Sequence, residues 1–455
     1  MYIDFLIEGF AEFGEKEAIV WKGRSFSYDW LAERLRYWQE RLVAEGVEEG
    51  RVVGLEADFS PNSVALMIAL IDRHAIFVPL TKSIGSKKEE FLEVAQVEIL
   101  ISIDENDEAT IERLANSADH PIYATLRERG HPGLVLFSSG STGKSKAAVH
   151  DFVDLLAKFH VRRHSLRAIS FLLYDHIGGV NTLLYTLSNG GCMITVEDRS
   201  PDKVLGAVDR HAVELLPTSP TFINLILLSE AWKRYDLSTL HTVSYGTEPM
   251  PESTLKRFHE IKPHIKLLQT YGLSEVGILR SKSKSSDSLW MKIGGEGFET
   301  RVVDGILQIK ARSAMLGYLN AESPFTDDGW FNTGDAVEVD GEYVRVLGRK
   351  SELINVGGEK VYPAEVESTI QEMPEVAEAA VYSEPNPITG NIVCARVTPA
   401  GDVGSEEERK ELVKKIKSYC RQQLQSYKVP VKIQIVDAAQ HGARFKKMRR
   451  PGIDE

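Results

Sequence analysis

The sequence predicts an α/β protein with a large N-terminal domain and a small C-terminal α+β domain. Short apolar runs typical of buried strands alternate with helical patterns through the first part of the chain, which favours largely parallel sheets. The 455 residues exceed what one ordinary core holds, so two or three domains are expected. A loop rich in glycine and hydroxyl groups follows the apolar run 133–137, as expected of a ligand site at the end of a strand.

Composition excludes several classes of protein. An apolar fraction of 43% is too high for a disordered chain, and a formal charge of −12 argues against a general nucleic-acid binder. The cysteines Cys192, Cys394 and Cys420 lack metal-ligand spacing and indicate reduced thiols in the cytoplasm. The acidic start of the chain predicts no signal peptide, and the apolar run 64–71 is too short for a transmembrane segment.

Each element follows from a local pattern. The N-terminal elements are predicted to be a hairpin over 16–27, a helix that begins after Ser27 and ends near Gly46, a strand over 52–55, a helix over 64–71, strands over 75–80 and 99–103, and a strand over 171–174 that ends in Asp175-His176. The C-terminal elements are predicted to be an Asp340-Gly341 hairpin, a helix that begins at Pro363, strands over 376–382 and 392–394, and a helix over 412–424.

The stretch 138–146 is the strongest candidate for a phosphate-binding loop. It contains five small hydroxyl residues, two glycines and two lysines. Such a loop can turn tightly and direct N–H, hydroxyl and ammonium groups at a phosphate chain, although a plain polar hairpin has a similar composition. The P-loop of nucleoside triphosphatases requires four residues between its first glycine and its Gly-Lys pair, whereas only two residues lie between Gly140 and Gly143. A P-loop ATPase is therefore disfavoured.

This loop resembles the phosphate loop of the adenylate-forming superfamily, whose pattern is roughly Thr-Ser-Gly-Thr-Thr-Gly-x-Pro-Lys-Gly. The superfamily includes acyl-CoA synthetases, peptide-synthetase adenylation domains and luciferases. Ser145 replaces the usual proline and Ala147 the usual glycine, and neither change removes a phosphate donor. The resemblance implies two stacked α/β subdomains and a small β-barrel over 1–349, then a mobile α+β domain over 350–455. The hinge would lie at Lys350 or Ser351.

The resemblance also implies an ATP site, because further motifs follow in the order of the family. The stretch 269–275 resembles its Tyr-Gly-x-Thr-Glu motif, 333–335 its Thr-Gly-Asp motif, and 348–349 its Gly-Arg. Glu275 and Thr142 would hold Mg²⁺, and Asp335 and Arg349 would bind the ribose. The residues implied for ATP or AMP are Ser138, Ser139, Gly140, Ser141, Thr142, Gly143, Lys146, Gly246, Thr247, Glu248, Tyr271, Gly272, Ser274, Asp335 and Arg349.

An acyl pocket is implied by the segment that follows the phosphate loop. His176 would stand beside the reacting carboxylate, although a histidine at a strand–helix junction is equally well explained by packing. Asp175 keeps open the amino-acid-activating branch, which holds the substrate ammonium with an aspartate near this place. The residues implied for the pocket are His176, Gly178, Gly179, Phe222 and Tyr245.

The C-terminal motifs imply two half-reactions. Gly357, Gly358 and Lys360 lie in a loop that resembles the family's CoA-binding segment. The stretch 445–450 resembles the Gly-Lys-x-x-Arg ending, which makes Lys446 the adenylation lysine and puts Phe445 where glycine is usual. Lys447 is the rival, and a solvated basic tail is the plainer interpretation.

The implied activity is ATP-dependent conversion of a carboxylic acid to acyl-AMP, followed by thioester formation with CoA. Lys446, Glu275 and His176 would be the catalytic residues, with ATP, Mg²⁺ and CoA required. A stand-alone enzyme that loads a carrier protein and a non-catalytic AMP-binding regulatory protein remain alternatives. A homodimer and a role in fatty acid metabolism are further expectations from the resemblance, and the acid itself is left open.

Overall fold

Four larger β-sheets and one two-stranded sheet organise the described part of this computed structural model, which comprises residues 2–139, 145–442 and 445–449. The α-helices are α1 (Asp4–Phe13), α2 (Tyr28–Ala44), α3 (Pro61–Asp72), α4 (Lys88–Val94), α5 (Pro121–Arg129), α6 (Phe152–Leu156), α7 (Ile177–Ser188), α8 (Pro201–His211), α9 (Pro220–Ser229), α10 (Glu252–Ile261), α11 (Pro363–Ile370) and α12 (Glu406–Gln423).

The strands alternate with these helices in the first part of the chain and follow one another later. The first thirteen are β1 (Glu17–Trp21), β2 (Arg24–Ser27), β3 (Val52–Glu56), β4 (Ile76–Leu80), β5 (Ile99–Ile103), β6 (Ala109–Arg113), β7 (Gly133–Ser139), β8 (Ser145–Asp151), β9 (Arg167–Ile169), β10 (Cys192–Ile194), β11 (Leu215–Thr218), β12 (Thr242–Tyr245) and β13 (Lys266–Gln269). The others are β14 (Gly272–Leu273), β15 (Gly277–Ile278), β16 (Arg280–Ser283), β17 (Met291–Gly294), β18 (Phe298–Val303), β19 (Ile306–Ala311), β20 (Gly317–Tyr318), β21 (Phe331–Asp340), β22 (Tyr343–Arg349), β23 (Ile354–Val356), β24 (Glu359–Val361), β25 (Val376–Asn386), β26 (Gly390–Pro399) and β27 (Lys432–Ile435).

Two seven-stranded sheets form the large N-terminal part, as the α/β prediction requires. Their orders are β13-β12-β11-β9-β10-β1-β2 and β20-β8-β7-β4-β3-β5-β6. Most of their neighbouring strands run parallel, because helices return the chain to the start of each next strand. The core between them includes Trp21 from the first sheet, Leu55 from the second, and the almost fully buried helix α3. This shared core confirms two stacked α/β subdomains.

The third sheet is antiparallel and has the order β16-β17-β22-β21-β19-β18, which corresponds to the small β-barrel expected from the resemblance. A fourth sheet, built from β23 to β27, forms a separate core with α11 and α12. The chain passes from the third sheet to the fourth through a short 3-10 helix, Lys350–Glu352. The α+β character of the C-terminal part is confirmed, while the boundary at 349/350 and the hinge at Lys350 or Ser351 stay predictions.

Most local predictions agree with the structure. The Ser27 hydroxyl accepts a hydrogen bond from the Trp30 N–H and caps α2. The Asp340-Gly341 turn joins β21 to β22. Within the described ranges no helix has the length and apolar character needed to cross a bilayer.

The predicted strand over 171–174 is wrong. Strand β9 ends at Ile169, and the following residues form a loop that leads to α7. Phe171 and Tyr174 are nevertheless buried, which explains why the run looked like a strand. The carbonyl of Phe171 accepts a hydrogen bond from the Arg199 side chain instead of a neighbouring strand. An apolar run predicts burial more reliably than it predicts strand pairing.

Candidate active site

The predicted phosphate loop lies between two paired strands, β7 and β8. β7 and β8 are antiparallel, with Ser138 opposite Lys146 and Ser139 opposite Ser145. The predicted phosphate-binding residues Gly140, Ser141, Thr142 and Gly143 lie outside the described residues. The Lys146 ammonium lies 5.2 Å from the centre of the Tyr318 ring, within the range of a cation–π contact.

Glu275 and Tyr318 form the next part of the site. The Tyr318 hydroxyl donates a hydrogen bond of 2.7 Å to the Glu275 carboxylate. β20 places Tyr318 there, because it pairs with β8 and sets Tyr318 opposite Ala148. Burial and the adjacent Glu275 carboxylate raise the pKa of Tyr318, so this tyrosine stays a neutral donor. The structure thus brings Lys146, Tyr318 and Glu275 together at the end of the second sheet.

Asp335 and Arg349 lie side by side, as the predicted hairpin requires. They are directly opposite each other in the β21–β22 pair, and Arg349 Nε is 3.5 Å from the Asp335 carboxylate. The Tyr271 hydroxyl donates a 2.5 Å hydrogen bond to the other carboxylate oxygen. Burial raises the pKa of Asp335, and the Arg349 guanidinium opposes that rise. The Asp335 carboxylate is therefore buried, paired and oriented by two neighbours.

Two glycines of the predicted nucleotide site are required by close packing. A Cβ at Gly246 would lie 2.7 Å from Thr270 Oγ1, and one at Gly272 would lie 2.4 Å from the Ile278 side chain. Thr247 follows Gly246 with φ at +74°, a backbone conformation that side chains rarely favour. The loop after β12 is therefore tightly folded against the loop after β13. The Ser274 carbonyl in the second loop lies 2.5 Å from His150 Nε2.

Glu248 joins helix α9 to the C-terminal segment. One carboxylate oxygen accepts hydrogen bonds from the N–H and hydroxyl of Thr221, at 2.8 and 2.5 Å. The other oxygen accepts a 3.0 Å bond from the backbone N–H of Lys447. Nearby, the Ser219 hydroxyl donates to the carbonyl of Phe445 at 2.7 Å. These contacts bring the segment 445–449 to the carboxyl ends of the first sheet.

Lys447, the rival candidate for the adenylation lysine, lies among buried charged and polar groups. The Lys447 ammonium lies 2.9 Å from Gln371 Oε1 and 3.4 Å from the Glu367 carboxylate, and its side chain is only 9% exposed. Arg449 pairs with the same Glu367 through two bonds of 2.8 and 2.9 Å. Burial alone would raise the pKa of Glu367, but Arg449 and Lys447 lower it to about 2. Lys447 is therefore part of a buried ionic cluster inside the C-terminal domain.

His176 is the N-cap of α7. Its Nδ1 accepts a 3.0 Å hydrogen bond from the Gly178 N–H, a local role that the sequence also allowed. A Cβ at Gly179 would lie 1.9 Å from the Leu173 carbonyl, so glycine is required for this turn. Asp175 is buried and accepts a 3.0 Å bond from the Thr81 hydroxyl. The substrate role of His176 remains a prediction.

Phe222 and Tyr245 are both buried in the core of the first sheet. Phe222 packs against Phe171 with ring centres 4.4 Å apart. The Tyr245 hydroxyl has no hydrogen-bond partner among the described residues, and the same holds for Thr218 Oγ1 and Gln269 Oε1. These three residues are paired directly across β11, β12 and β13, so one row of unsatisfied polar atoms crosses the ends of three strands.

The predicted CoA-binding residues lie away from this site in the observed arrangement. Gly357, Gly358 and Lys360 form the exposed tip of the β23–β24 hairpin. Both glycines have positive φ, +62° and +96°, as the turn requires. The C-terminal domain therefore presents the segment 445–449 to the site and leaves the glycine loop in solvent.

Sequence patterns missed four contributors to this site. Tyr318 lies in a two-residue strand without a motif, and only pairing with β8 brings it to Glu275. Ser219 and Thr221 lie at the start of α9, and nothing in the local sequence indicates that they bind Phe445 and Glu248. Glu367 looked like an ordinary helix residue, yet it is the buried anion of the C-terminal cluster.

Comparison with known proteins identifies the class that this fold and site define. The profile of the AMP-binding enzyme family matches residues 8–305, and that of its C-terminal domain matches 365–446. The chain belongs to the AMP-binding enzyme family, within the adenylate-forming superfamily that the motifs predict.

Similar proteins of established name are CoA ligases. The chain is 27% identical to the indoleacetate–CoA ligase of Aromatoleum aromaticum over 84% of this chain and 85% of that protein. It is 27% identical to a feruloyl-CoA synthase of Amycolatopsis over 91% of each. It is 23% identical to a 2-succinylbenzoate–CoA ligase of Bacillus cereus over 96% of this chain and 95% of that one.

Solved structures share the fold. An anthranilate CoA ligase in complex with anthranoyl-AMP superposes with a TM-score of 0.82 at 20% identity, covering 98% of this chain and 95% of that one. An amide bond synthetase of Marinactinospora thermotolerans gives 0.76 at 22% identity over 96% of each chain. At these identities the likeness establishes the fold, and the chemistry has to be argued from the residues.

Proposed function

We propose that this protein is an AMP-forming acid–CoA ligase that acts on an aromatic carboxylic acid. The observation that carries the proposal is the convergence of Glu275, Asp335, Arg349 and Lys146 at the strand ends, with the Lys446 segment docked beside them. These groups provide the charges that a nucleoside triphosphate and a carboxylate require when they react.

The chemistry brings two anions together. A carboxylate oxygen of the acid attacks the α-phosphorus of ATP, the bond to pyrophosphate breaks, and acyl-AMP forms. The CoA thiol then attacks the acyl carbon, loses its proton, and AMP leaves with the electrons of the broken C–O bond. Cations that hold the phosphates and the carboxylate must supply much of the stabilisation in the first step.

Different side chains are proposed to bind different parts of the nucleotide. In this proposal Lys146, which lies beside Tyr318, binds phosphate, and the paired residues Arg349 and Asp335 bind the ribose. The Tyr271 and Arg349 contacts hold the Asp335 carboxylate in one orientation, so it can accept ribose hydroxyls without reorganising. Gly246 and Gly272 allow close packing of the backbone segments that, in this proposal, flank the base.

Glu275 fits the requirements of a magnesium site. Mg²⁺ in nucleotide sites uses one or two protein carboxylates and takes its other ligands from phosphates and water. The absence of any cluster of three acidic, histidine or cysteine ligands among the described residues agrees with that pattern. Glu275, with Thr142 from the phosphate loop, would hold the ion. When bound, it would neutralise phosphate charge.

Lys446 is the better candidate for the adenylation lysine. The ammonium of Lys447 is engaged by Glu367 and Gln371 inside the C-terminal domain. Lys446 lies between two backbone groups that bind the N-terminal domain, the Phe445 carbonyl and the Lys447 N–H. We therefore infer that Lys446 lies where the carboxylate and the α-phosphate would meet.

The proposed substrate is an aromatic acid rather than a fatty acid. Indoleacetate, ferulate and 2-succinylbenzoate, the acids in the names of the similar ligases, all carry an aromatic ring. The predicted pocket residues Phe222 and Tyr245 are aromatic, and rings of this kind pack well against one another. CoA is the proposed acceptor. A carrier protein, a homodimer and a cytoplasmic location remain expectations.

Pyrophosphate release tests the proposal. Purified protein is given ATP and Mg²⁺ with one acid at a time from a panel of aromatic, short-chain, long-chain and amino acids, with and without CoA. Release that depends on an aromatic acid, with thioester formed when CoA is present, is the expected result. Acyl-AMP formation without CoA turnover would favour a carrier protein as acceptor. A protein that binds AMP and releases no pyrophosphate with any acid would be a regulatory AMP binder.

A further inference from the structure

Phe445 occupies a backbone conformation that is unfavourable for it. Its φ is +53°, in the left-handed region where residues with a Cβ are uncommon and bulky ones rarer still. A conformation of this kind persists only when surrounding contacts over-determine it.

The Phe445 ring packs into the core of the N-terminal domain. Its centre lies 5.4 Å from that of Phe171 and 5.3 Å from that of Phe222, and both of these rings are buried. Phe222 lies in the first turn of α9, the helix that begins directly after Ser219. On the C-terminal side, the His441 ring stacks against Phe445 at 5.9 Å. One aromatic side chain thus connects the C-terminal segment with the core below the first sheet.

Hydrogen bonds secure the backbone on both sides of the next residue. Ser219 donates to the Phe445 carbonyl, and the Lys447 N–H donates to Glu248. Lys446 is the residue between these two bonds. Its backbone position is set by the ring of Phe445 on one side and by Glu248 on the other.

We propose that Phe445 is the positioning residue that holds Lys446 at the site for adenylation, by packing its ring against the contacting rings of Phe171 and Phe222. This inference rests on the proposed function of Lys446. Withdrawal of the segment exposes the Phe445 ring and part of the surface it covers, so the ring favours the docked arrangement. Thioester formation, which needs the exposed Gly358 loop at the site, requires that withdrawal. Phe445 therefore favours the first half-reaction over the second.

Three substitutions distinguish the effect of the Phe445 ring from the effect of its backbone conformation. Phe445→Gly removes the ring and relieves the positive-φ strain, whereas Phe445→Ala removes the ring and keeps the strain. Phe445→Leu keeps an apolar side chain of moderate size. Ile388→Ala is the matched control, because Ile388 lies in the same domain and is 91% exposed.

The half-reactions are measured separately, by acid-dependent exchange of pyrophosphate into ATP and by single-turnover conversion of prepared acyl-AMP with CoA. Both Phe445→Gly and Phe445→Ala are expected to lose about tenfold or more in exchange, as misplaced catalytic groups do, with thioester formation unchanged or faster. Phe445→Leu should fall between them and wild type. The proposal would be overturned if Phe445→Gly exchanged pyrophosphate at the wild-type rate. It would also be overturned if the Gly and Ala variants lost both half-reactions equally.

Hydrogen exchange of the backbone amides gives a readout that needs no substrate. Residues 219–222 and 445–449 should exchange faster in Phe445→Gly than in wild type, while Ile388→Ala should match wild type. Unchanged protection in Phe445→Gly would contradict the positioning role even if the enzyme is active. Faster exchange in a protein that activates no acid would support the role of Phe445 in docking while rejecting the proposed function.

Discussion

The carboxylate of Glu248 accepts a hydrogen bond from the backbone N–H of Lys447, 199 residues later in the chain. The same carboxylate is held from the other side by Thr221. Glu248 was expected at the nucleotide, and the structure shows that its carboxylate also receives the C-terminal segment. Glu248, a residue of the candidate site, therefore contacts both domains in the observed orientation.

Glu248→Gln tests this recognition. Glutamine keeps one acceptor oxygen but replaces the other with an NH₂ donor, which cannot accept from both Thr221 and Lys447. We expect adenylation to fall by about tenfold, the equivalent of one lost hydrogen bond to a charged group. Acid-dependent pyrophosphate exchange measures the change. The thioester step from prepared acyl-AMP should be unaffected, and Glu260→Gln on the exposed part of α10 serves as the control.

Lys446→Ala and Lys447→Ala should fail in different ways. Lys446→Ala should lose adenylation by roughly 100-fold, as the removal of a charge-stabilising group does, while it still converts prepared acyl-AMP. Lys447→Ala leaves Glu367 buried with Arg449 as its remaining cationic partner and should cost roughly 1–3 kcal/mol of stability. The unfolding temperature and the rate of acid-dependent pyrophosphate exchange together distinguish the two variants. The reverse pattern would make Lys447 the adenylation lysine.

Tyr245→Phe should not destabilise the protein. The Tyr245 hydroxyl is buried without a partner among the described residues, so its removal relieves a desolvation cost. Tyr123→Phe is the matched control, because the buried Tyr123 hydroxyl donates to the Ala95 carbonyl and its loss should cost about 1 kcal/mol.

The Tyr245 hydroxyl is also expected to meet a polar group of the acid, as the predicted pocket role implies. The KM for an acid with a hydroxyl or amino substituent should then rise in Tyr245→Phe, with the KM for ATP unchanged. Steady-state kinetics with matched substituted and unsubstituted acids give the comparison. A clear loss of stability in this variant would indicate a structural partner for the hydroxyl instead.

The His441–Glu378 pair predicts a dependence of stability on pH. The 2.7 Å contact with Glu378 raises the pKa of His441, burial opposes the rise, and the nearby Glu248 charge adds to it. A raised pKa in the folded state means that the stabilisation is complete below the unfolded value of about 6.5. It is lost as the pH rises through the folded-state value.

The measurement is the unfolding temperature of wild type minus that of His441→Gln between about pH 5 and 9. The difference should be largest at the acidic end of this range and shrink as the solution becomes alkaline. Glu378 has a lowered pKa through the same contact, so its own contribution weakens only at more acidic pH. A difference that grows with pH would contradict the assignment of the charged pair.

Sequence patterns alone determined the family and the local elements of this protein. The Asp340-Gly341 turn predicted that Asp335 and Arg349 would be neighbours, because a tight hairpin fixes the register of the two strands that it joins. The loop 138–146 and the motif 269–275 were recognised by their spacing, because short backbone segments that contact phosphate or base tolerate few residue types.

Tertiary structure decided what depends on residues far apart in the chain. In the folded chain Lys447 pairs with Glu367, and Glu248 accepts a hydrogen bond from the Lys447 N–H as well as from Thr221. Tyr318 binds Glu275, and Phe171 lies in a buried loop instead of a strand. A local pattern records whether a side chain prefers burial or a turn. Sheet order and domain orientation determine which distant group that side chain contacts. The residue spacing within one segment predicts neither of them.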